Sequence, residues 1–186
     1  MSKKKVWIEA GYSQFALEGL EGIQVERLAK ILDLNKSGYY HYFGNRISYL
    51  EALMHKHLKH GIEIAQDLQQ IQQFDPEFMG VLIKYTTSIL VHNQLVRNRH
   101  DMLLVQTYDQ VNNVVDPIIT KLFADFIGFK SHLEFTSKYY GQVRDMFYAQ
   151  ITAERMNYPF LREFMYKSRA VIQQAVEIAV KNNSQL

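Results

Sequence analysis

Apolar side chains recur at three- and four-residue intervals along almost the whole chain, and no stretch sustains the alternation of a half-buried strand. That pattern restricts the fold to packed helices. The chain's punctuation agrees. There are only 3 prolines in 186 residues, and each stands where a helix can begin. Asp75-Pro76 and Asp116-Pro117 both set a capping carboxylate before a proline whose missing N–H is no loss at the first helical position, and Pro159 opens the last segment. Ser131 to Glu134 has the form of a capping box, Asn98 with Asp101 is a weaker start, and Gly128 can close the preceding helix in a left-handed conformation.

The spacing predicts a first helix starting near Val6 and ending near Gly19 to Gly22. Two short helices over 25–32 and 36–42 follow, then a long one over about 46–72, and about nine helices in all. The clearest stripe is the last: Phe160, Leu161, Phe164, Met165, Val171, Ile172, Ala175, Val176, Ala179 and Val180. The preceding helix offers it a face through Tyr139, Val143, Met146, Phe147, Gln150 and Ala153. The expected class is all-α, with a small N-terminal module of residues 1–45 joined directly to a helical bundle of residues 46–186.

Composition narrows function mainly by exclusion. Hydrophobic content of 47% with 22% charged residues suits a globular chain and not a disordered one. With 0 cysteines, disulfides, thiolate nucleophiles and cysteine-bound zinc drop out. No apolar run approaches the roughly 18 residues of a spanning helix. The basic start, Lys3-Lys4-Lys5, leads into Val6-Trp7-Ile8 and then Glu9, which leaves no signal-peptide core, so the expected location is cytoplasmic with no membrane role. The formal net charge is only +2, so any nucleic-acid surface must be local. His57 and His60 lie one turn apart near His55 and Glu63, as a metal pair could, but no third ligand follows at a recognisable spacing, and exposed helix surface is the expected role. No HExxH, nucleophile elbow or phosphate-cradling glycine loop occurs, so neither an enzyme nor a bound cofactor is expected.

The informative stretch is Val25 to Asn45, VERLAKILDLNKSGYYHYFGN. Two short helices meeting steeply need a small residue at the closest approach, which Ala29 supplies. They also need apolar inner faces, which Leu28 and Leu32 provide before the turn and Leu34, Tyr39 and Tyr42 after it. Asp33 stands where such a turn often takes glycine, and aspartate enters the left-handed region more easily than most residues. Asn35 can cap the second helix and project Lys36, Ser37 and Gly38 from its first turn, the part of a helix-turn-helix that enters the major groove. The same spacing also suits two packed helices in any all-α protein. Nearby chemistry favours DNA: Lys3, Lys4, Lys5, Lys36 and Arg46 can reach phosphates, Tyr40 and Tyr42 carry hydroxyl donors, and Gly44-Asn45 precedes a helix N-terminus.

Residues 6–50 resemble the N-terminal domain of the TetR family of bacterial regulators. The match runs through Gly22, Leu28-Ala29, the turn at Asp33-Leu34-Asn35, Tyr40-His41-Tyr42-Phe43, Arg46 and Leu50. It departs at Gln24 in place of threonine, at Asp33 in place of glycine and at Arg46 in place of lysine. Glu26 also adds a carboxylate that repels phosphate but could accept from a cytosine amino group. The resemblance implies phosphate contacts by Tyr40, Tyr42 and Arg46, and base-facing roles around Lys36, Ser37 and Tyr39, with Gln24 at the start of the supporting helix. It further implies a ligand-responsive repressor that binds a double-stranded operator as a homodimer paired through its last two helices. Val143, Met146, Gln150, Phe164, Ile172 and Val176 are the expected interface. A small apolar or aromatic ligand would meet Tyr85, His92, Met102, Tyr108, Phe123, Phe126 and Phe147, residues that equally suit a plain core. The alternative is a protein-interaction or nucleoid-associated module of the same fold without a small-molecule inducer.

Overall fold

The computed structural model describes residues 2–183, and the regular elements among them are all helical. They are α1 (Lys3–Glu18), α2 (Val25–Leu32), α3 (Lys36–Phe43), α4 (Arg46–Gln70), α5 (Met79–Lys84), α6 (Thr86–Arg97), α7 (Met102–Ile127), α8 (Leu133–Gln150) and α9 (Tyr158–Asn183), with a 3-10 turn at Gly19–Gly22 and a π turn at Phe74–Phe78. The all-α class expected from the periodicity is the class observed. Two compact units form, one from Met1–Ile64 with Tyr85–Val114 and the other from Ala65–Lys84 with Val115–Leu186.

In the first unit Trp7, Phe15, Leu28, Tyr39, Tyr49, Leu53, Val91, Leu95 and Leu104 are wholly buried. Each such side chain contributes about 1.5–3 kcal/mol by leaving water. Gly11 is required where α1 crosses α4, because a Cβ there would lie 1.9 Å from the Tyr49 hydroxyl. That hydroxyl donates to the Trp7 carbonyl at 2.5 Å.

A polar seam runs through the same core and overturns the expected role of His57. This side chain is not helix surface; it is 1% exposed. Its Nδ1 lies 2.8 Å from the Tyr12 hydroxyl and its Nε2 lies 3.0 Å from His92 Nδ1. Tyr12 also meets Ser88 Oγ at 2.8 Å, and Ser88 meets His60 Nδ1 at 2.6 Å. Helical periodicity cannot separate a histidine on a buried stripe from one beside it unless the partner helix is known. His55, two residues earlier, is exposed.

In the second unit three of the expected helix starts behave differently. Asp75 does not cap; its carboxylate accepts from the Tyr158 hydroxyl at 2.5 Å, the Tyr166 hydroxyl at 2.9 Å and Arg162 Nε at 3.1 Å. Glu77 takes the capping role instead, accepting from the Gln72 and Gln73 N–H groups at 2.6 and 2.9 Å. Pro117 lies inside α7 and begins nothing. The carbonyl deprived of a partner there belongs to Asn113, an exposed residue that water can satisfy, and Asp116 pairs with Arg144. The Ser131 capping box does not form: Ser131 Oγ meets His132 Nδ1 at 2.9 Å, and Glu134 accepts from Lys138 at 2.8 Å. Other signals were accurate. Asp101 caps α7 through the Leu103 and Leu104 N–H groups at 3.0 and 3.2 Å, and Asn157 caps α9 beside Pro159 through the Phe160 N–H at 3.1 Å. Gly128, at φ 86°, closes α7.

Candidate nucleic-acid interface

Local chemistry sets the angle between α2 and α3. Asp33 takes the left-handed conformation at φ 51° and ends α2, and the Leu34 N–H returns to the Ala29 carbonyl at 3.0 Å. Asn35 Oδ1 then accepts from the Ser37 N–H at 2.9 Å and starts α3. Gly44, at φ 71°, ends α3 with its N–H on the Tyr40 carbonyl at 2.9 Å, and Asn45 Oδ1 caps α4 through the Ser48 N–H at 2.9 Å. Both turns are therefore placed by local bonds, through the backbone at Asp33 and Gly44 and through side-chain caps at Asn35 and Asn45.

Behind α3 stands an aromatic wall. Tyr39 meets Trp7 edge-on at 5.6 Å between centroids and Tyr49 at 4.9 Å, and Phe43 meets Tyr49 at 4.7 Å. Leu28 and Ala29 are buried on the α2 side. With Tyr39 and Phe43 turned inward, the helical period turns Lys36, Ser37, Tyr40 and His41 outward, and all four are exposed. Gln24 and Arg46 are exposed beside them, Tyr42 is half-buried, and Lys3, Lys4 and Lys5 are exposed on the first turn of α1. Lys4 Nζ lies 5.6 Å from the Phe43 ring centroid, which carries the lysine run to the end of α3.

One expected base-facing residue is corrected. Tyr39 is 0% exposed, and its place in the aromatic wall leaves no path from its ring to a base. Burial pushes its phenol up to about 12, against a small opposing effect of Arg46. Sequence reading also missed that two of the cations, Lys36 and Arg46, are already engaged. Lys36 Nζ reaches Glu26 Oε1 at 3.2 Å across a groove of about 590 Å³ lined by Ala29, Lys30, Asp33, Leu34 and Asn35. Arg46 Nη2 donates to the Leu20 carbonyl at 2.7 Å. The Glu26 carboxyl is held below its ordinary value, first by a backbone N–H and then by Lys36. His41 was not singled out, although its position one turn past Ser37 is the signal that would have found it.

The other expected sites divide. Of the ligand residues, His92 stacks on Tyr108 at 4.8 Å in the first unit, with half-buried Tyr85 in the same unit, while Met102 is 69% exposed at the start of α7 and lines no interior. In the second unit Phe126 stacks on Phe74 at 4.3 Å beside a cleft of about 310 Å³, Phe123 is fully buried, and Phe147 packs on Phe164 at 5.7 Å. Of the interface residues, Val143, Phe164 and Ile172 are buried within the chain, Phe164 against Phe147 of α8. They are unavailable to a partner. Met146, Gln150 and Val176 face outward, together with Val171 and Ile178. Ala153 lies beyond the end of α8, and the side chains of Ala179 and Val180 lie outside the described residues.

No family model and no curated protein matches the sequence. Solved structures do match its fold. A transcriptional regulator of the TetR/AcrR family from Aquifex aeolicus VF5 superposes with a TM-score of 0.64 over 94% of this chain and 99% of that one, at 16% identity. A structure from Rhodococcus sp., described as that of a TetR-family transcriptional regulator, superposes with a TM-score of 0.54 over 91% and 96% of the two chains, at 13% identity. The fold of this chain is thus the all-α fold of TetR/AcrR regulators. Among the described residues no helix is long and apolar enough to cross a membrane.

Proposed function

We propose that the chain is a sequence-specific DNA-binding transcriptional regulator, a repressor that acts as a homodimer and answers to a small ligand. The observation that carries this reading is the exposure of Lys36 and Ser37 on the leading edge of α3, with Leu28, Ala29 and Tyr39 buried behind them. Residues 1–45 read the operator, and residues 46–186 pair the subunits and hold the ligand. One short helix rarely binds tightly alone, so two copies would present α3 to successive major-groove turns about 34–36 Å apart. The outward residues Met146, Gln150, Val171, Val176 and Ile178 supply the pairing surface. Ligand binding would shift the spacing of the two reading helices by favouring one of two states. The ring packing of Phe123 against Phe74, Tyr139 and Tyr140 favours as second reading a protein-interaction or nucleoid-associated module of the same fold with no inducer.

Charge reversal at Lys36 and Arg46 tests DNA binding. The wild-type chain should bind duplex DNA with an affinity that falls steeply with salt, and Lys36→Glu with Arg46→Glu should lose at least tenfold at low salt. Equal affinity in the variant would remove α3 from the interface. A single species of about 22 kDa in solution at micromolar concentration would remove the homodimer.

A further inference from the structure

The core of the first unit contains a continuous hydrogen-bonded chain that DNA reading does not use. It joins α1 (Tyr12), α4 (His57, His60), α6 (Ser88, His92) and α7 (Asn112). One contact fixes the direction of every bond. Asn112 Oδ1 is 3.2 Å from His92 Nε2 and can only accept, so His92 carries its proton on Nε2 and accepts at Nδ1. His57 must then donate from Nε2 and accept at Nδ1, which makes Tyr12 the donor to His57. The Tyr12 oxygen in turn accepts from Ser88, whose oxygen accepts from His60 Nδ1–H. All five bonds are satisfied with every group neutral.

We propose that this chain is a proton-operated clamp that holds α1 to α4 and α6 while neutral and releases it when one proton enters. His60 is half-buried and forms the outer end. A proton arriving at His60 Nε2 moves inward in three hops: His60 Nδ1–H passes to Ser88, the Ser88 hydroxyl proton to Tyr12, and the Tyr12 proton to His57 Nδ1. Each hydroxyl gains one proton and gives one up. His57 becomes an imidazolium that donates from both nitrogens, and its two bonds are made to neutral partners, Tyr12 and His92.

The charges around the seam do not neutralise that cation. On α1, Glu9 is already paired with Lys56 of α4 at 2.8 Å, and Lys56 Nζ sits 5.1 Å from the Tyr12 ring centroid. Glu63 acts on His60 and Tyr12 from the outer side, His92 faces His57 from α6, and Tyr108 of α7 stacks on His92 with Arg99 over its ring. Burial first, and then His92 and His60, hold His57 well below the ordinary histidine value. Hydrating the imidazolium requires Tyr12 to leave, and Tyr12 bonds α1 to both helices at once, to α4 through His57 and to α6 through Ser88.

The sign follows from linkage. The buried imidazole has a lowered folded-state value, so its contribution is complete above the ordinary value near 6.5 and is lost as the pH falls below it. Between pH 7.5 and 5.5 one such group shifts the equilibrium toward the opened form about tenfold.

Amide hydrogen exchange on the full chain, corrected for intrinsic rates, reads this opening directly. Protection in α1 should fall about tenfold from pH 7.5 to 5.5, while α9 in the second unit holds its protection. Asn112→Asp is the decisive variant, because Asn112 Nδ2 has no partner to lose and a carboxylate accepts from His92 as the amide oxygen does. The added charge one imidazole away from His57 should hold the fall in α1 protection under threefold. A merely structural seam would give no such rescue. His57→Gln should leave α1 protection flat with pH. Should that variant fail to fold, NMR of the wild-type ring decides instead: His57 should be neutral at pH 6, and a protonated His57 in the closed form would overturn the clamp. So would unchanged α1 protection in the wild type, or wild-type behaviour in Asn112→Asp. The link to gene control rests on the DNA-binding reading, and the two fail separately. Exchange that follows the pattern without duplex binding at pH 7.5 sinks the regulator and keeps the clamp; binding without the pattern does the reverse.

Discussion

Tyr39→Phe separates a base-reading tyrosine from one that holds the reading helix in place. The Tyr39 hydroxyl is buried with no hydrogen-bond partner, while its ring is boxed in by Trp7, Phe43 and Tyr49. A buried unpaired polar group costs about 1–3 kcal/mol, and phenylalanine keeps every ring contact. The variant should therefore be more stable, by about 1 kcal/mol or a little over, which for a chain of this size raises the midpoint by roughly 2–4 °C. Tyr49→Phe supplies the contrast. It loses the 2.5 Å bond to the Trp7 carbonyl and should cost about 0.5–1.5 kcal/mol. Thermal unfolding of both variants, with fluorescence anisotropy on a labelled duplex, covers stability and binding. A destabilised Tyr39→Phe protein, or one whose DNA affinity falls tenfold while its fold is intact, would refute the assignment of Tyr39 to the core.

Three other perturbations have defined outcomes. Gly11→Ala sets a methyl against the pinned Tyr49 hydroxyl and should cost about 1–3 kcal/mol by thermal or urea unfolding, with Tyr49→Phe relieving part of it in the double variant. Glu26→Gln removes the carboxylate that holds Lys36, so affinity for non-specific duplex at low salt should rise a few-fold and the salt slope should steepen by about one; a loss of affinity would mean that Glu26 itself reads a base. Burial alone would raise the Asp75 carboxyl, but bonds from Tyr158, Tyr166 and Arg162 together bring it below its ordinary value. Its contribution is therefore present above pH about 4 and lost as the pH falls through the folded value, so Asp75→Asn should have a lower midpoint at pH 7 and less dependence on pH between 5 and 3.

The legible parts of the sequence were those decided by neighbours in the chain. Asp33, Asn35, Gly44 and Asn45 each set a helix end through bonds to residues within five positions, and all four ends fall where those residue types place them. What depends on a distant partner was not legible. Asp75 precedes proline as a cap would, yet its oxygens are taken by α9, more than eighty residues away. His57 reads as surface because its partners, Tyr12 and His92, come from two other helices. The α9 stripe is apolar as its spacing predicts, but its period gives no way to tell Phe164 and Ile172, which are buried, from Val171 and Val176, which stay outside. At the candidate interface the same limit explains Tyr39: its residue type suits a base or a core, and Trp7 on α1 decides between them.

Selection of bound duplexes from a random pool, run in parallel on the wild-type chain and on Ser37→Gln, bears most directly on α3. If its leading edge lies in the major groove, the wild type should enrich two inverted half-sites about one helical turn apart. The Ser37→Gln protein should then change the preferred base at one matched position in each half-site and leave the spacing as it was. No enrichment, or identical preferences from both proteins, would contradict a reading role for that helix.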